Sequence, residues 1–274
     1  MPVTSSRRCR SVAIIGAGVG FGREIALGFA AEDAIVFGTA ASADEVEDLR
    51  AASRGRVSLA VCDISKADAV GAWAGGVSDA LDGAGLDMLI TSAATLTSGL
   101  IGALSLEAIR HEFNVNIFGT LSVINAFLPA LRMARGRIVQ INSWAAHVPL
   151  PYNGSFAASE AAIDALLAMY RHELKGLGVD LVIATMGTAK AAISGEPFSG
   201  PAKRQRDLDR LPAFNSREAA ERVIQIAELP APPVHIAIDR DAGVMLRAAR
   251  DIPAADMDAF CARFLVPSEP PQTQ

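Results

Sequence analysis

Cysteine, histidine and aromatic side chains are scarce in this 274-residue sequence. It has three cysteines, four histidines, two tryptophans and two tyrosines. Cys9, Cys62 and Cys261 lie far apart and match no disulfide or metal-ligand spacing, which predicts a reducing compartment and no metal site. Neither charge sign dominates, since 25 Lys and Arg oppose 30 Asp and Glu for a net charge of −5. This balance argues against a nucleic-acid partner.

Long apolar runs are also lacking. The apolar segment after Arg7, Arg8 and Arg10 is interrupted at Arg23 and Glu24, so it fits a strand and a turn rather than a signal peptide or a membrane span. We therefore expect a cytoplasmic chain without a membrane partner. A hydrophobic content of 51% is ample for a buried core, which excludes disorder for most of the chain.

Short apolar runs alternate along the chain with longer, Ala-rich segments of helical periodicity. This alternation predicts an α/β protein in which helices cover a parallel sheet. The predicted strands are residues 11–16, 34–38, 57–62, 86–91, 136–142, 179–184 and 234–238. The predicted helices are residues 21–31, 43–53, 66–82, 105–133, 153–176 and 216–228. Together they indicate a doubly wound Rossmann fold with a single, mostly parallel seven-stranded sheet flanked by helices.

The same alternation sets the expected domain organisation. Residues 1–10 form an N-terminal arm, residues 11–265 a single domain and residues 266–274 a polar, flexible tail. Residues 187–215, rich in Gly and Pro, interrupt the alternation of strands and helices. A connection of this length predicts a flap over a substrate site, with a solvated surface loop as the alternative.

A glycine-rich segment joins the first predicted strand to the first helix. It contains Gly16, Gly18, Gly20, Phe21 and Gly22. Glycine lets the backbone approach a diphosphate, and the helix N-terminus offers unpaired N–H groups. The spacing is G-x-x-x-G-x-G; it is not G-x-G-x-x-G, because phenylalanine takes the third glycine position. The segment predicts nucleotide binding, with tight packing of the turn as the alternative.

This spacing resembles the glycine motif of the short-chain dehydrogenase/reductase family, and further motifs follow in the same order over about residues 11–265. The similar segments are Cys62-Asp63-Ile64 at the adenine side, residues 87–94 beside the nicotinamide, residues 114–119 around the family's asparagine, and residues 136–143 ending at its substrate-binding serine. The resemblance implies that Asn116 is the structural and catalytic asparagine and that Ser143 binds substrate. Residues 234–265 resemble the branch that includes retinol- and hydroxysteroid-type dehydrogenases.

The resemblance also implies NADP or NAD as the cofactor. The residues that it assigns to cofactor binding are Gly16, Gly18, Gly20, Phe21, Gly22, Thr39, Asp63, Ile64, Ala93, Glu160 and Thr188. The second strand ends without an acidic residue for the ribose 2′-hydroxyl of NAD, whereas Thr39, Ser42 and Arg23 suit a 2′-phosphate. The expected preference therefore leans toward NADP.

The sequence differs from the family pattern at the two positions whose side chains take part in proton transfer. A tyrosine and, four residues later, a lysine are expected there, and this sequence has Phe156 and Glu160. The spacing places both on one helix face, toward the cofactor cleft. Phe156 cannot carry a proton, so the usual exchange between a phenol and the substrate oxygen is absent. Glu160 can accept hydrogen bonds from ribose hydroxyls or, with a raised pKa, exchange a proton; the alternative is a solvated residue in a decayed site.

Other polar side chains lie near these positions. Ser143, Asn116 and Asn142 can hold a substrate oxygen, with structural hydrogen bonding as the alternative. His147 and Tyr152 precede Phe156 on the loop that borders the substrate pocket in relatives. Either can replace the missing proton donor, or serve only in packing.

We therefore expect a protein that binds NAD(P)(H) and a small, mostly apolar carbonyl or alcohol ligand. The expected pocket is bordered by Leu96, Trp144, His147, Tyr152, Phe156 and the flap at 187–215. Three functions stay open: an oxidoreductase whose proton comes from His147, Tyr152, Glu160 or water; a redox-neutral lyase, isomerase or cyclase; and a non-catalytic cofactor sensor. The resemblance further implies a homodimer or homotetramer, paired through the helices at 105–133 and 153–176.

Overall fold

A seven-stranded parallel sheet forms the centre of the protein, in the order β3-β2-β1-β4-β5-β6-β7. The computed structural model describes residues 10–149, 152–187 and 215–265, with side chains through residue 260. The strands are β1 (Ser11–Ile15), β2 (Ile35–Ala40), β3 (Val57–Val61), β4 (Met88–Thr91), β5 (Arg137–Ser143), β6 (Asp180–Met186) and β7 (His235–Ala237). The helices of the described part are α1 (Gly20–Ala31), α2 (Ala43–Ala52), α3 (Ala67–Ala80), α4 (Leu106–Phe113), α5 (Thr120–Ala134), α6 (Gly154–Gly176), α7 (Ser216–Glu228), α8 (Arg240–Asp251) and α9 (Ala254–Leu265).

The central strand explains why the sheet is covered on both faces. All five residues of β1 are buried, and an unbroken buried run is typical of a parallel strand between two helical layers. Val12 of β1 pairs with Val36 on one side and with Met88 on the other. Strand order therefore reverses at β1, and the carboxyl ends of β1 and β4 border a crevice at this switch point.

The two helical layers pack on opposite faces of the sheet. On one face, Phe29 of α1 and Ile224 of α7 share a core, and an added Cβ at Gly28 would lie 2.6 Å from Ile224 Cδ1. On the other face, Trp73 of α3 meets Phe127 of α5 edge to face, with ring centroids 4.8 Å apart. The predicted α/β fold is confirmed, and each predicted strand has its counterpart in the sheet.

The C-terminal helices α8 and α9 are absent from the sequence prediction. Both segments are short, but α8 has an amphipathic pattern that was readable, with Met245 and Ala249 on the face that packs on the core. The side chain of Asp239 starts α8, since its Oδ1 accepts a hydrogen bond from Ala242 N (2.8 Å). Its Oδ2 accepts from Gly187 N (2.6 Å), which ties the end of β6 to α8.

The helix predicted at 105–133 is interrupted by a turn of π-helix. Residues Asn114–Gly119 form this turn between α4 and α5. The whole run Leu106–Ala134 is long and apolar enough to cross a membrane by length and composition. Part of this run is buried in the core, including Val123, Ile124 and Leu131, whereas Phe118 and Met133 are exposed.

Parts of the expected domain organisation lie outside the described residues. These are residues 1–9 of the arm, residues 188–214 of the flap and the tail at 266–274. The domain bounds, the flap and the tail therefore stay predictions.

Candidate active site

The glycine segment makes a tight turn from β1 into α1. Gly16 has a φ of 73°, and an added Cβ there would lie 2.9 Å from Ala93 Cβ. An added Cβ at Gly22 would collide with the carbonyl oxygen of Gly16. Helix α1 begins at Gly20 with no side-chain cap, while Phe21 packs into the core beneath it. Because the N-cap residue Val19 makes no side-chain cap, the amino end of α1 suits an anionic ligand such as a phosphate.

Thr39, Ser42 and Arg23, which the sequence analysis suggested as ligands for a 2′-phosphate, all form hydrogen bonds or ion pairs within the protein. Thr39 Oγ1 accepts a hydrogen bond from Gly16 N (2.9 Å), so Thr39 shapes the glycine turn. Ser42 Oγ caps α2 by accepting from Glu45 N (3.3 Å). Arg23 Nη2 pairs with Asp48 Oδ2 at 3.1 Å.

Glu45 is a site residue that the sequence analysis missed. Its Oε2 accepts a hydrogen bond from Ala41 N (2.9 Å) and lies where a Cβ on Gly18 would be. A carboxylate between the end of β2 and the glycine turn suits a ribose 2′-hydroxyl and opposes a 2′-phosphate. Its position in the first turn of α2 was readable from the sequence, but its approach to Gly18 depends on the fold of the turn.

The other predicted cofactor residues occupy separate places. Asp63 lies exposed after β3, and its Oδ1 accepts hydrogen bonds from Ser65 N (2.9 Å) and Ser65 Oγ (2.7 Å). These bonds lower the pKa of Asp63. Ile64 is buried, with its carbonyl oxygen 2.9 Å from where a Cβ on Gly119 would be. Thr188 lies outside the described residues.

The amide of Asn116 is used entirely within the protein. Its Oδ1 accepts from Thr95 N (2.8 Å), and its Nδ2 donates to Thr95 O (2.9 Å) and to Ser159 Oγ (2.9 Å). The π turn thus holds the loop after β4 and the start of α6 together. Both amide hydrogens have partners, so the role of holding a substrate oxygen does not fit this arrangement.

Glu160 and Ser143 meet at the carboxyl end of β5. Glu160 is buried, and its Oε2 accepts a hydrogen bond from Ser143 N (2.7 Å). The Ser143 hydroxyl oxygen accepts from Ala145 N (3.2 Å), which leaves its hydrogen for another acceptor. Asn142 Oδ1 also accepts from Ser143 N (2.9 Å), and its Nδ2 donates to Asp164 Oδ1 (3.0 Å).

The surroundings of Glu160 favour its neutral form. Burial raises its pKa to about 8, the Ser143 N–H opposes this shift, and the charges of Asp164 and Glu112 add to it. Glu112 is itself buried, accepts from Ser155 Oγ (2.7 Å), and has a pKa raised by burial. A carboxyl group with a pKa near 8 is protonated at pH 7 and can donate a proton to an acceptor beside Ser143.

An apolar cluster adjoins this carboxyl group. Trp144 and Val148 are buried at its centre, and Phe156 of α6 is half-buried against them. The C-terminal helices contribute Met245, Ala249, Met257 and Phe260. The sequence marked Trp144 and Phe156 as pocket residues, while the share of α8 and α9 emerges only from the structure.

His147 and Tyr152 lie at the two ends of the loop before α6. His147 Nε2 is 3.9 Å from Asp164 Oδ1, one helical turn beyond Glu160. Burial lowers the pKa of His147, the Asp164 carboxylate partly opposes this shift, and His235 adds to it. Tyr152 has a φ of 67°, and its carbonyl accepts from Gly99 N (2.7 Å). Its backbone thus anchors the loop that follows β4.

The residues Asp164, His235 and Glu112 complete the site and were missed from the sequence. Asp164 follows Glu160 by four residues, and that helical spacing was a readable signal. His235 and Glu112 come from distant parts of the chain, so no local pattern connects them to the site.

Comparisons with known proteins agree with this geometry. A family model described as short chain dehydrogenase matches residues 10–200. Estradiol 17-beta-dehydrogenase 2 of Mus musculus is 30% identical over 192 residues, which are 68% of this chain and 50% of that protein. NADPH-dependent 3-dehydrocapnine reductase of Ornithobacterium rhinotracheale is 25% identical over 230 residues, 82% and 81% of the two chains. The chain spans about half the length of the mouse relative.

Solved structures share the fold over nearly the whole chain. A short-chain dehydrogenase from Streptomyces avermitilis superimposes with a TM-score of 0.80 at 22% identity, covering 93% of this chain and 97% of the other. One from Burkholderia cenocepacia, in complex with NADP, gives 0.74 at 26% identity, covering 94% and 99%. Because the family model matches residues 10–200 of the 274, the chain belongs to the short-chain dehydrogenase family.

Proposed function

We propose that this chain is an NAD(P)(H)-dependent oxidoreductase that interconverts a carbonyl and an alcohol in a small, mostly apolar molecule, with Glu160 as the proton carrier. The observation that carries the proposal is the buried Glu160 carboxyl group, hydrogen-bonded to Ser143 N (2.7 Å) and with a pKa of about 8. Phe156 occupies the place where the family resemblance implies a phenol, so another acid must supply the proton.

The glycine turn supports dinucleotide binding. The N-cap residue of α1 makes no side-chain cap, and Gly16, with a φ of 73°, turns the chain from β1 toward the amino end of that helix. The Burkholderia cenocepacia relative is known in complex with NADP. Glu45 beside Gly18 adds a negative charge near the expected ribose, so the test compares both nucleotides.

Proton transfer follows from the environment of Glu160. NAD(P)H held at the glycine turn would supply the hydride for carbonyl reduction. The hydroxyl hydrogen of Ser143 binds the carbonyl oxygen, and Glu160 transfers its proton to that oxygen as the alcohol forms. The remaining carboxylate keeps the hydrogen bond from Ser143 N and then regains a proton from water, so the cycle consumes one proton. Alcohol oxidation runs through the same groups in reverse.

The substrate class follows from the apolar cluster beside Glu160. The accessible part of this cluster is apolar, because Trp144 and Val148 are buried and the partly exposed side chains around them are those of Phe156, Met245 and Met257. Such a surface favours an aliphatic or polycyclic ligand with one carbonyl or hydroxyl group. The mouse relative is named for estradiol, a molecule of this kind, although this chain spans only half of that relative.

The direct test is turnover of the full chain with NADPH or NADH and a panel of apolar ketones and aldehydes, followed by nicotinamide absorbance. We expect saturable nucleotide oxidation with at least one carbonyl. Glu160→Gln should still bind the nucleotide, because glutamine keeps an oxygen that can accept a hydrogen bond from ribose, and should lose about 100-fold or more in kcat, in the range of a lost general acid. Glu173→Gln, an exposed residue on the same helix, is the matched control and should keep wild-type activity.

A rescue variant locates the proton route. Phe156→Tyr introduced into Glu160→Gln restores a phenol and should recover part of the lost rate. Phe156→Tyr combined with Glu160→Lys rebuilds the pair that the family resemblance implies, and ketone reduction by it supports the register. A folded, nucleotide-bound but inert double variant would count against that register.

Other results point to the remaining hypotheses. Product formation without net nucleotide consumption favours a redox-neutral lyase, isomerase or cyclase. Nucleotide binding with no turnover of any carbonyl, together with recovery of a protein partner from cells, favours a non-catalytic sensor. Full activity of Glu160→Gln refutes the assigned proton role.

A further inference from the structure

Three metal-ligand side chains meet beside the apolar cluster. They are His147, after the short helical turn that follows β5; Asp164, on α6; and His235, which opens β7. One ligand atom from each lies within 4.8 Å of the other two. Since the three residues come from separate elements, their spacing in the sequence does not predict a metal site.

The contacts inside this group are too long for hydrogen bonds. His147 Nε2 lies 3.9 Å and His235 Nδ1 lies 3.6 Å from the same oxygen, Asp164 Oδ1. Hydrogen bonds between nitrogen and oxygen span roughly 2.7–3.2 Å. Both nitrogen atoms are buried and have no hydrogen-bond partner among the described residues. Two unsatisfied buried nitrogens thus face one carboxylate oxygen across a gap.

The size of the gap matches a metal ion. Taking 4.8 Å as the longest separation, the point equidistant from the three atoms lies about 2.4 Å from each, against roughly 2.0–2.2 Å for zinc bonds to histidine nitrogen and carboxylate oxygen. A movement of a few tenths of an ångström per ligand therefore closes the site. Side-chain rotation supplies such a movement without any change of the backbone.

We propose that His147, Asp164 and His235 bind one Zn²⁺ ion. Two imidazoles with one carboxylate form a ligand set that zinc uses, whereas Mg²⁺ and Ca²⁺ prefer oxygen ligands alone. Three protein ligands leave a fourth position for water or a ligand oxygen. The competing account is a histidine–aspartate ion pair with no metal, and the test separates the two.

A supporting contact orients the carboxylate. Asn142 Nδ2 donates a hydrogen bond to Asp164 Oδ1 (3.0 Å), which fixes the oxygen that both histidines face. Such neighbours hold ligands in position and contribute to metal affinity. The ion joins the loop after β5 to α6 and β7, and so holds the loop that carries Trp144 and Val148 at the apolar cluster.

The experiment is a zinc titration of the full chain, stripped with EDTA and followed by calorimetry without any nucleotide. We expect one Zn²⁺ per chain. His235→Ala should lower the affinity at least tenfold, while His172→Ala, which removes an exposed histidine of α6, should leave it unchanged. Cys62→Ser should also bind Zn²⁺ normally. Cys62 follows β3, which lies at the opposite edge of the sheet from β7, where His235 is found.

Cobalt provides a second readout. Bound Co²⁺ at a three-ligand site with one open position should give strong visible absorption, which His235→Ala removes. If His235→Ala fails to fold by circular dichroism, Asp164→Asn retains the side-chain shape and should show the same loss. The proposal is overturned if wild-type protein shows no saturable zinc binding, or if His172→Ala or Cys62→Ser weakens binding as much as His235→Ala. Because no cofactor or substrate is present, these outcomes are independent of the proposed oxidoreductase activity.

Discussion

Replacing Glu160 by glutamine removes one ionisable group from the cleft and keeps its size. The glutamine oxygen can accept the hydrogen bond that Ser143 N donates to Glu160 Oε2 (2.7 Å) in the wild type. The wild type and Glu160→Gln therefore differ mainly in whether the side chain at position 160 can ionise. Burial of this carboxyl group raises its pKa from 4.5 to about 8, so the difference should appear as a pH dependence of stability.

The raised pKa sets the sign of this pH dependence. The folded protein holds the proton on Glu160 up to about pH 8, whereas the unfolded chain releases it near 4.5. The wild-type free energy of unfolding is therefore highest, with respect to this group, below pH 4.5, falls as the pH rises, and levels off above pH 8. Each tenfold difference in the protonation equilibrium corresponds to about 1.4 kcal/mol, so the loss reaches about 3 kcal/mol at pH 7 and about 5 kcal/mol at pH 9.

Urea unfolding at pH 5, 7 and 9 and constant ionic strength measures this loss. Glu160→Gln should be within about 1 kcal/mol of wild type at pH 5 and more stable by several kcal/mol at pH 9, since glutamine stays neutral. Glu173→Gln on the exposed face of α6 controls for other titrations and should track the wild type. Parallel pH curves for wild type and Glu160→Gln would refute the claim that this carboxyl group is neutral at pH 7.

Three further predictions test the cofactor side, the core and the assembly. Glu45→Gln should raise the affinity for NADPH relative to NADH about tenfold, because it removes a negative charge beside Gly18; an unchanged ratio in a fluorescence titration contradicts this. Phe127→Ala should cost about 3–5 kcal/mol in urea unfolding, since the ring is 1% exposed; a loss below about 1 kcal/mol is inconsistent with its packing. Leu166→Glu with Met169→Glu, on exposed positions of α6, should halve the mass seen by light scattering if this helix pairs two chains; a wild-type mass of 28.6 kDa removes the expected dimer.

The positions of Phe156 and Glu160 show how far sequence reasoning reaches into the site. Their spacing predicts one helix face, and both lie on α6 with Ser143 beside Glu160. The same reasoning offered Asn116 as a donor to substrate, yet both of its amide hydrogens bind protein oxygens. Residue type alone does not reveal whether a polar group is already satisfied.

The cofactor side shows a similar limit. The glycine spacing predicted the turn because only the local backbone decides it, and Gly16 has the positive φ that such a turn needs. Glu45 was missed, because its carboxylate reaches Gly18 only after α2 has folded back over the end of β2. The three side chains offered to a 2′-phosphate likewise had partners that the sequence does not display.

The sequence by itself determined the order of the strands and of the helices up to residue 228, the parallel sheet, the glycine turn and the identity of the side chain at each family position. These features depend on periodicity and on neighbours within a few residues, so they are readable without coordinates. Only the tertiary structure decided that Glu160 is buried against Ser143 N and that His147, Asp164 and His235 share one gap. Burial and proximity arise when strands far apart in the chain pair in one sheet, and those two quantities set pKa values and ligand geometry.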